Sequence, residues 1–198
     1  KRAILIASLI LFAILIAYFI HEYVQSNREK SFSKIYHQAI IEEEQGKYQE
    51  ATELLKSIYE SDKAPAGVKA LASLRYAAAS ISGNDTDQAL EIYEEIAFNN
   101  KYDDYLQNLS GLLLAKLIIV NLGDAPDEET ARQATIRIKK IVNNNKILNI
   151  HAKEQLAILY IKINKNDEAR NLLEQIRSSA QGSQDIKERV RKLIKLIP

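Results

Sequence analysis

The sequence predicts an all-α repeat fold behind an N-terminal membrane anchor, and three observations carry that prediction. Residues 3–20 hold no charged side chain. Alanines recur through the rest of the chain 38 residues apart, with one insertion. Short runs rich in Gly, Asn and Asp fall where a repeating helix would have to turn.

The anchor comes first along the chain. Residues 3–20 read AILIASLILFAILIAYFI, with Ser8 the most polar. At 1.5 Å rise per residue this run is about 27 Å long, close to the hydrocarbon thickness of a thin bilayer. It shows no amphipathic period, whereas a core helix of a small domain would keep one polar face. Tyr18 and Tyr23 sit at its C-terminal edge, where amphipathic rings favour the headgroup layer. A cleaved signal peptide would have a shorter apolar part and a small-residue cleavage site, but HEYVQSNREK follows instead. Lys1 and Arg2 precede the span while Arg28, Lys30 and Lys34 follow it, so the flanking charges leave its orientation open. A helical link is expected over 21–31.

The repeat occupies 32–183. Ala39, Ala77 and Ala115 are spaced by 38 and 38, and Ala51 and Ala89 by 38. Ala157 and Ala131 follow Ala115 and Ala89 by 42, and Ala169 follows Ala131 by 38. One insertion of four residues at GDAPDEE, residues 123–129, accounts for the shift. Ile58, Ile96, Ile138 and Ile176 each lie seven residues after the second alanine of a unit, on the same helical face. Small residues let two antiparallel helices approach closely. Each unit is therefore two helices and a turn, with boundaries near 32–61, 70–99, 106–143 and 147–180. The turns read EQGKYQEA, SGNDTDQA and NKNDEA, in which Gly, Asn and Asp supply left-handed C-caps and N-caps for the next helix. Thr135 stands in the third unit where a large apolar residue is usual. Over 184–198, Ile186, Val190, Leu193, Ile194 and Ile197 form one apolar helical face beside Lys187, Arg189, Arg191, Lys192 and Lys195. A capping helix needs such a face, and a basic amphipathic helix on anionic lipid would share it.

This layout resembles the tetratricopeptide repeat. EQGKYQEATELLKSIYES matches the second half of that motif through Gly46, Tyr48, Ala51, Leu55 and Ile58. SGNDTDQALEIYEEI follows through Ala89, Tyr93 and Ile96, and NKNDEARNLLEQI through Ala169, Leu173 and Ile176. The period of 38 exceeds the usual 34, and no unit ends in the usual Pro. The resemblance implies an α-solenoid of about four helix pairs whose first helices line a concave surface. Its groove positions fall on Tyr36, Ile40 and Glu43, on Leu74, Ala78 and Ile81, on Leu112, Lys116 and Ile119, and on Glu154, Ile158 and Ile161. An exposed apolar groove of this kind serves a peptide or protein partner, while packing between tightly wound helices is the plainer reading.

Composition excludes much else. Net charge is +1, so no global field draws nucleic acid. There is no cysteine, which removes disulfides, thiolate metal sites and cysteine nucleophiles. His21, His37 and His151 form no ligand pair, and the glycines build no phosphate loop. Asp103 and Asp104 are adjacent and would point about 100° apart on a helix, so a turn or solvated surface is expected of them. Glu42, Glu43 and Glu44 read as a solvated charge run near a helix end, and the tyrosines as repeat core. No catalytic residue, metal or cofactor is expected.

One N-terminal span, a short link and divergent helix pairs together resemble the YfgM-type family of ancillary SecYEG translocon subunits. The residues that carry this are the span at 3–20, GKYQEA at 46–51 and ASLRYAAASISGN at 72–84. The resemblance implies a bacterial inner-membrane protein with a cytoplasmic N-terminus and a periplasmic repeat domain. Its implied partners are translocon subunits, periplasmic chaperones or translocating chains, and its implied role is translocation or chaperone handover without catalysis. A homo-oligomeric brace for envelope or cell-division complexes is the alternative that the same helix pairs allow.

Overall fold

The computed structural model describes the backbone of residues 2–122, 127–144 and 148–197, and their side chains beyond position 10 except at residue 144. These residues form helices joined by short turns, and no strand occurs among them. The helices are α1 (Arg2–Glu44), α2 (Tyr48–Tyr59), α3 (Ala66–Ser82), α4 (Thr86–Phe98) and α5 (Asp104–Asn121). They continue as α6 (Glu128–Asn144), α7 (Asn149–Lys162), α8 (Asn166–Ser178) and α9 (Gln184–Leu196). They fall into two compact units, residues 1–85 and 86–198.

The first unit is built on α1, which runs 43 residues without a break. No Gly or Pro occurs before Gly46, so nothing in the sequence interrupts it. The expected link at 21–31 is thus a stretch of the same helix that supplies Ala39 to the repeat. Every large apolar or aromatic side chain from Leu11 to Val24 is exposed. Among the described residues no helix is long and apolar enough to cross a membrane. The side chains of the first part of the expected span, residues 3–10, lie outside the described residues, so the described residues alone do not support that span.

α1 packs on α2 and α3, and α2 on α3. The contact faces are small: Ala39, Ala51, Ala70, Ala72 and Ala77 are all buried. In the second unit each helix packs on the next from α4 to α9, and α5 also reaches α7. One apolar core runs from Leu112 to Ile197 and includes Ile138, Leu159, Leu173, Ile176 and Val190. All twelve repeat positions, the eight alanines and four isoleucines, are at most 4% exposed. The predicted register is thus the register of the cores.

The turns repeat as faithfully. Gly46, Asn84 and Asn164 carry φ of +78°, +64° and +60°, and Asn84 lies 38 residues after Gly46. Each sits at the same place in a doubly bonded C-cap. The Gly46 amide donates to the Glu43 carbonyl and the Lys47 amide to the Glu42 carbonyl, at 3.0 and 2.9 Å. Asn84 and Asp85 do the same toward Ile81 and Ser80, and Asn164 and Lys165 toward Ile161 and Tyr160. This arrangement satisfies helix-end carbonyls that have no partner within the helix. The insertion at 123–126 lies outside the described residues.

The other half of the turn expectation needs correction at the entries to α2 and α8. The residues entering α2 and α8 are Lys47 and Lys165, and neither caps with its side chain. Side-chain caps instead come from Asp103, whose carboxylate accepts the Leu106 amide at 2.9 Å, and from Ser183 at the start of α9. Asp127 likewise accepts the Thr130 amide at 2.7 Å. Thr135 is accommodated by turning its hydroxyl back onto the Ala131 carbonyl at 2.8 Å. The tyrosines divide: Tyr76, Tyr93, Tyr102 and Tyr160 are buried, but Tyr48 is 70% exposed although it occupies a motif position.

Candidate functional site: two clefts between helices

Each compact unit carries its own cleft. In the second unit a cleft of about 840 Å³ opens between α5, α7 and α9. α5 contributes Tyr105, Leu109, Leu112, Leu113 and Lys116, while α7 contributes His151, Glu154, Gln155 and Ile158. These residues recur every three or four positions, so they form one face of each helix. α9 supplies the third wall with Arg189, Lys192 and Leu193. The same helix buries Ile186, Val190 and Ile197 in the core, so its apolar face is used as a cap. Of the sequence-predicted groove residues, Leu112, Lys116, Glu154 and Ile158 therefore meet in one place. Ile119 is 2% exposed and belongs to the core, and Ile161 packs against that core.

Glu154 governs the electrostatics of this cleft. It is the one strongly buried carboxylate among the described residues, 4% exposed. A carboxylate there would be costly without a partner. Arg189 on α9 supplies two bonds: Nε donates to Oε1 at 2.7 Å and a terminal nitrogen to Oε2 at 3.0 Å. The fork of a guanidinium matches the two carboxylate oxygens. The bonds to Glu154 hold the Arg189 pKa above its usual value despite some burial. The pair carries no net charge, and Lys116, Lys192 and the exposed His151 remain around it.

In the first unit a cleft of about 920 Å³ lies between α1, α2 and α3. It draws Glu43 and Ala78 from the predicted groove. Tyr36 is tied to it by Arg75, whose Nε donates to the Tyr36 hydroxyl at 2.9 Å and whose guanidinium also pairs with Glu43. Glu53, Asp85, Thr52, Ser80 and Ser82 supply the polar and acidic groups of a lining that is otherwise mainly apolar. Ile40, Leu74 and Ile81 are partly buried in the same unit.

The expected charge run at the end of α1 is corrected by this geometry. Glu42 pairs with Lys47 at 3.1 Å and accepts from Gln38, and these bonds hold its carboxyl below the usual range. Glu43 is engaged with Arg75, and Glu44 alone is fully at the surface. Asp103 and Asp104 resolve into a helix cap and a first-turn acid, which suits the helix dipole. A smaller pocket of about 370 Å³ lies between α4, α5 and α6. Its Arg137 is already bound to Glu94 at 2.9 Å and stacked over the Phe98 ring at 4.9 Å. Among the described residues no three His, Asp or Glu side chains gather where a metal could bind.

Sequence reasoning did not find Arg75, Arg189, Lys192 or Leu193 as cleft residues. Their partners lie 32 and 35 residues away in the chain for Arg75 and Arg189. A basic residue on a helix carries no mark of which distant carboxylate it will meet.

Comparison with known proteins agrees with this geometry. A family model described as a tetratricopeptide repeat-like domain matches residues 1–125. No curated protein matches the chain. The solved structure of MamA AMB-1 superposes with a TM-score of 0.54 at 14% sequence identity, covering 84% of this chain and 90% of that one. At that identity the likeness concerns the fold alone. From the repeat register, the paired helices and the matching model, the chain belongs to the tetratricopeptide repeat-like domain family.

Proposed function

We propose that this protein is a non-catalytic scaffold that holds segments of other proteins, tethered to the bacterial inner membrane by the N-terminal part of α1. The observation that carries the binding role is the cleft of the second unit. Leu109, Leu113, Ile158 and Leu193 line it while remaining partly accessible, and Leu109, Ile158 and Leu193 also pack against the core beneath. Accessible apolar side chains gathered in a recess between helices suit a bound chain segment. The tether is supported by the exposed apolar side chains from Leu11 to Val24 and by the unbroken helix that joins them to the first repeat. The resemblance to YfgM-type subunits supports a cytoplasmic N-terminus, a periplasmic repeat domain and work beside the SecYEG translocon, on its subunits, on periplasmic chaperones or on translocating chains.

Two measurements on the full chain test this in cells. A photo-crosslinking residue at Leu113 is expected to capture translocon subunits, chaperones or emerging chains. Silence at Leu113 together with capture from the exposed Glu91 sinks the cleft as the binding site. Because the chain has no cysteine, a single Gln181→Cys reports topology. Labelling by an impermeant maleimide from the periplasmic side is expected, and labelling only after the inner membrane is opened overturns the orientation.

A further inference from the structure

The two clefts differ in charge, and that difference specifies a partner for one of them. In the second unit the one acidic side chain of the cleft, Glu154, is consumed by Arg189. Lys116 makes no ion pair among the described residues. Lys192 stands 3.9 Å from Glu188, with both side chains largely in water, so that pair is weak. The two ammonium groups come from different walls, α5 and α9, of a cleft whose apolar lining includes Leu109, Leu113, Ile158 and Leu193. A ligand that fits must carry apolar side chains to meet this lining and negative charge to meet both ammonium groups. A basic segment would meet two cations and no free carboxylate. A bilayer presents anionic charge as a flat sheet and cannot enter a recess walled by three helices.

We infer that the α5–α7–α9 cleft takes an acidic, amphipathic segment of a partner protein, its leucine-type side chains against the apolar lining and its carboxylates toward Lys116 and Lys192. Arg189 acts as a positioning residue here. By neutralising Glu154 it removes the charge that would repel such a segment, and by fixing α9 against α7 it sets where Lys192 stands. This inference rests on the proposed binding role of the same cleft and adds the chemistry of its partner.

The test uses the full chain and two fluorescein-labelled twelve-residue peptides, one of alternating Leu and Glu blocks at helical spacing and one with Lys in place of Glu. Fluorescence anisotropy is expected to show the Glu peptide binding at least tenfold more tightly, with the preference shrinking as salt screens it. Lys116→Glu combined with Lys192→Glu is expected to reverse that preference. Both side chains are exposed, so the fold survives the change, and unchanged far-UV circular dichroism verifies this. Equal binding of both peptides, preference for the Lys peptide, or binding of neither overturns the inference. So does self-association of the chain that Leu193→Glu abolishes, because a second copy would then be the occupant. Crosslinks from Leu113 distinguish the two levels: captured proteins with no acid preference sink this inference alone, whereas silence at Leu113 sinks the binding role as well.

Discussion

Arg189 and Glu154 form a pair whose two halves are unequally buried, and the inequality predicts an asymmetric response to mutation. Glu154 has 6% of its side chain exposed and Arg189 has 51%. Arg189→Met keeps most of the aliphatic stem but removes both bonds to the carboxylate. It leaves a buried charge without a partner. Breaking a fully buried pair in this way costs about 3–5 kcal/mol. Half of this pair is in water, which screens it, so about 2 kcal/mol is expected. Glu154→Gln removes the charge from the buried side and frees Arg189 to turn into solvent, so it should cost about 0.5–1 kcal/mol. The double variant should cost little more than Glu154→Gln alone, leaving a coupling of nearly 2 kcal/mol. Native-state hydrogen exchange on α9 reads this locally. A loss of about 2 kcal/mol corresponds to about 30-fold faster exchange of the protected α9 amides in Arg189→Met. Equal acceleration by both single variants, or none by Arg189→Met, refutes the reasoning that Glu154 depends on Arg189 more than the reverse.

Three further outcomes follow from the cores and caps. Gly46→Ala meets no atom within 4 Å of the new Cβ, yet φ is +78°, so the change should cost about 1 kcal/mol in chemical denaturation from backbone strain alone; no loss would mean that the turn relaxes. Ala77→Leu, at a fully buried contact, should cost about 1–3 kcal/mol by overpacking. Ala78→Leu, one residue on and exposed, should stay within about 0.5 kcal/mol, and similar losses for both would contradict the helix phase. Glu129 is held down to about 2 by its bonds to Arg132 and Gln133, and Asp127 is lowered by its bonds with Thr130. Both lie below their unfolded values, so the stability they contribute is present above about pH 4 and lost as the pH falls toward 2. A carboxyl titration by NMR should find the Glu129 midpoint near 2; a midpoint near the ordinary glutamate value would remove that ion pair from solution.

The repeat was legible because helical pairing imposes a strict rule on few positions. A helix crossing that buries Ala39 against its partner admits only a small side chain, and the rule returns at Ala77, Ala115 and Ala157. The same holds for the left-handed residue that ends a first helix. Gly46 shows it openly, while Asn84 and Asn164 are the next most tolerant type. The N-caps were less legible, since Lys47 and Lys165 enter their helices without a side-chain cap and the backbone bonds of the preceding turn supply the order instead. Tyr48 misled in the same way: it holds a motif position, but no neighbouring helix covers it.

Helix class, repeat register, turn positions and the apolar face of α9 were thus determined by the sequence itself, because each depends on residues within a turn or two of one another. The tertiary structure decided which groove positions stay accessible, with Ile119 in the core and Ile158 on a wall. It also decided that Arg189 reaches Glu154 and that Arg75 joins Tyr36 to Glu43. Those pairings depend on how far one helix is rotated and shifted against another. That geometry comes from the packing of whole faces, and no single residue announces it.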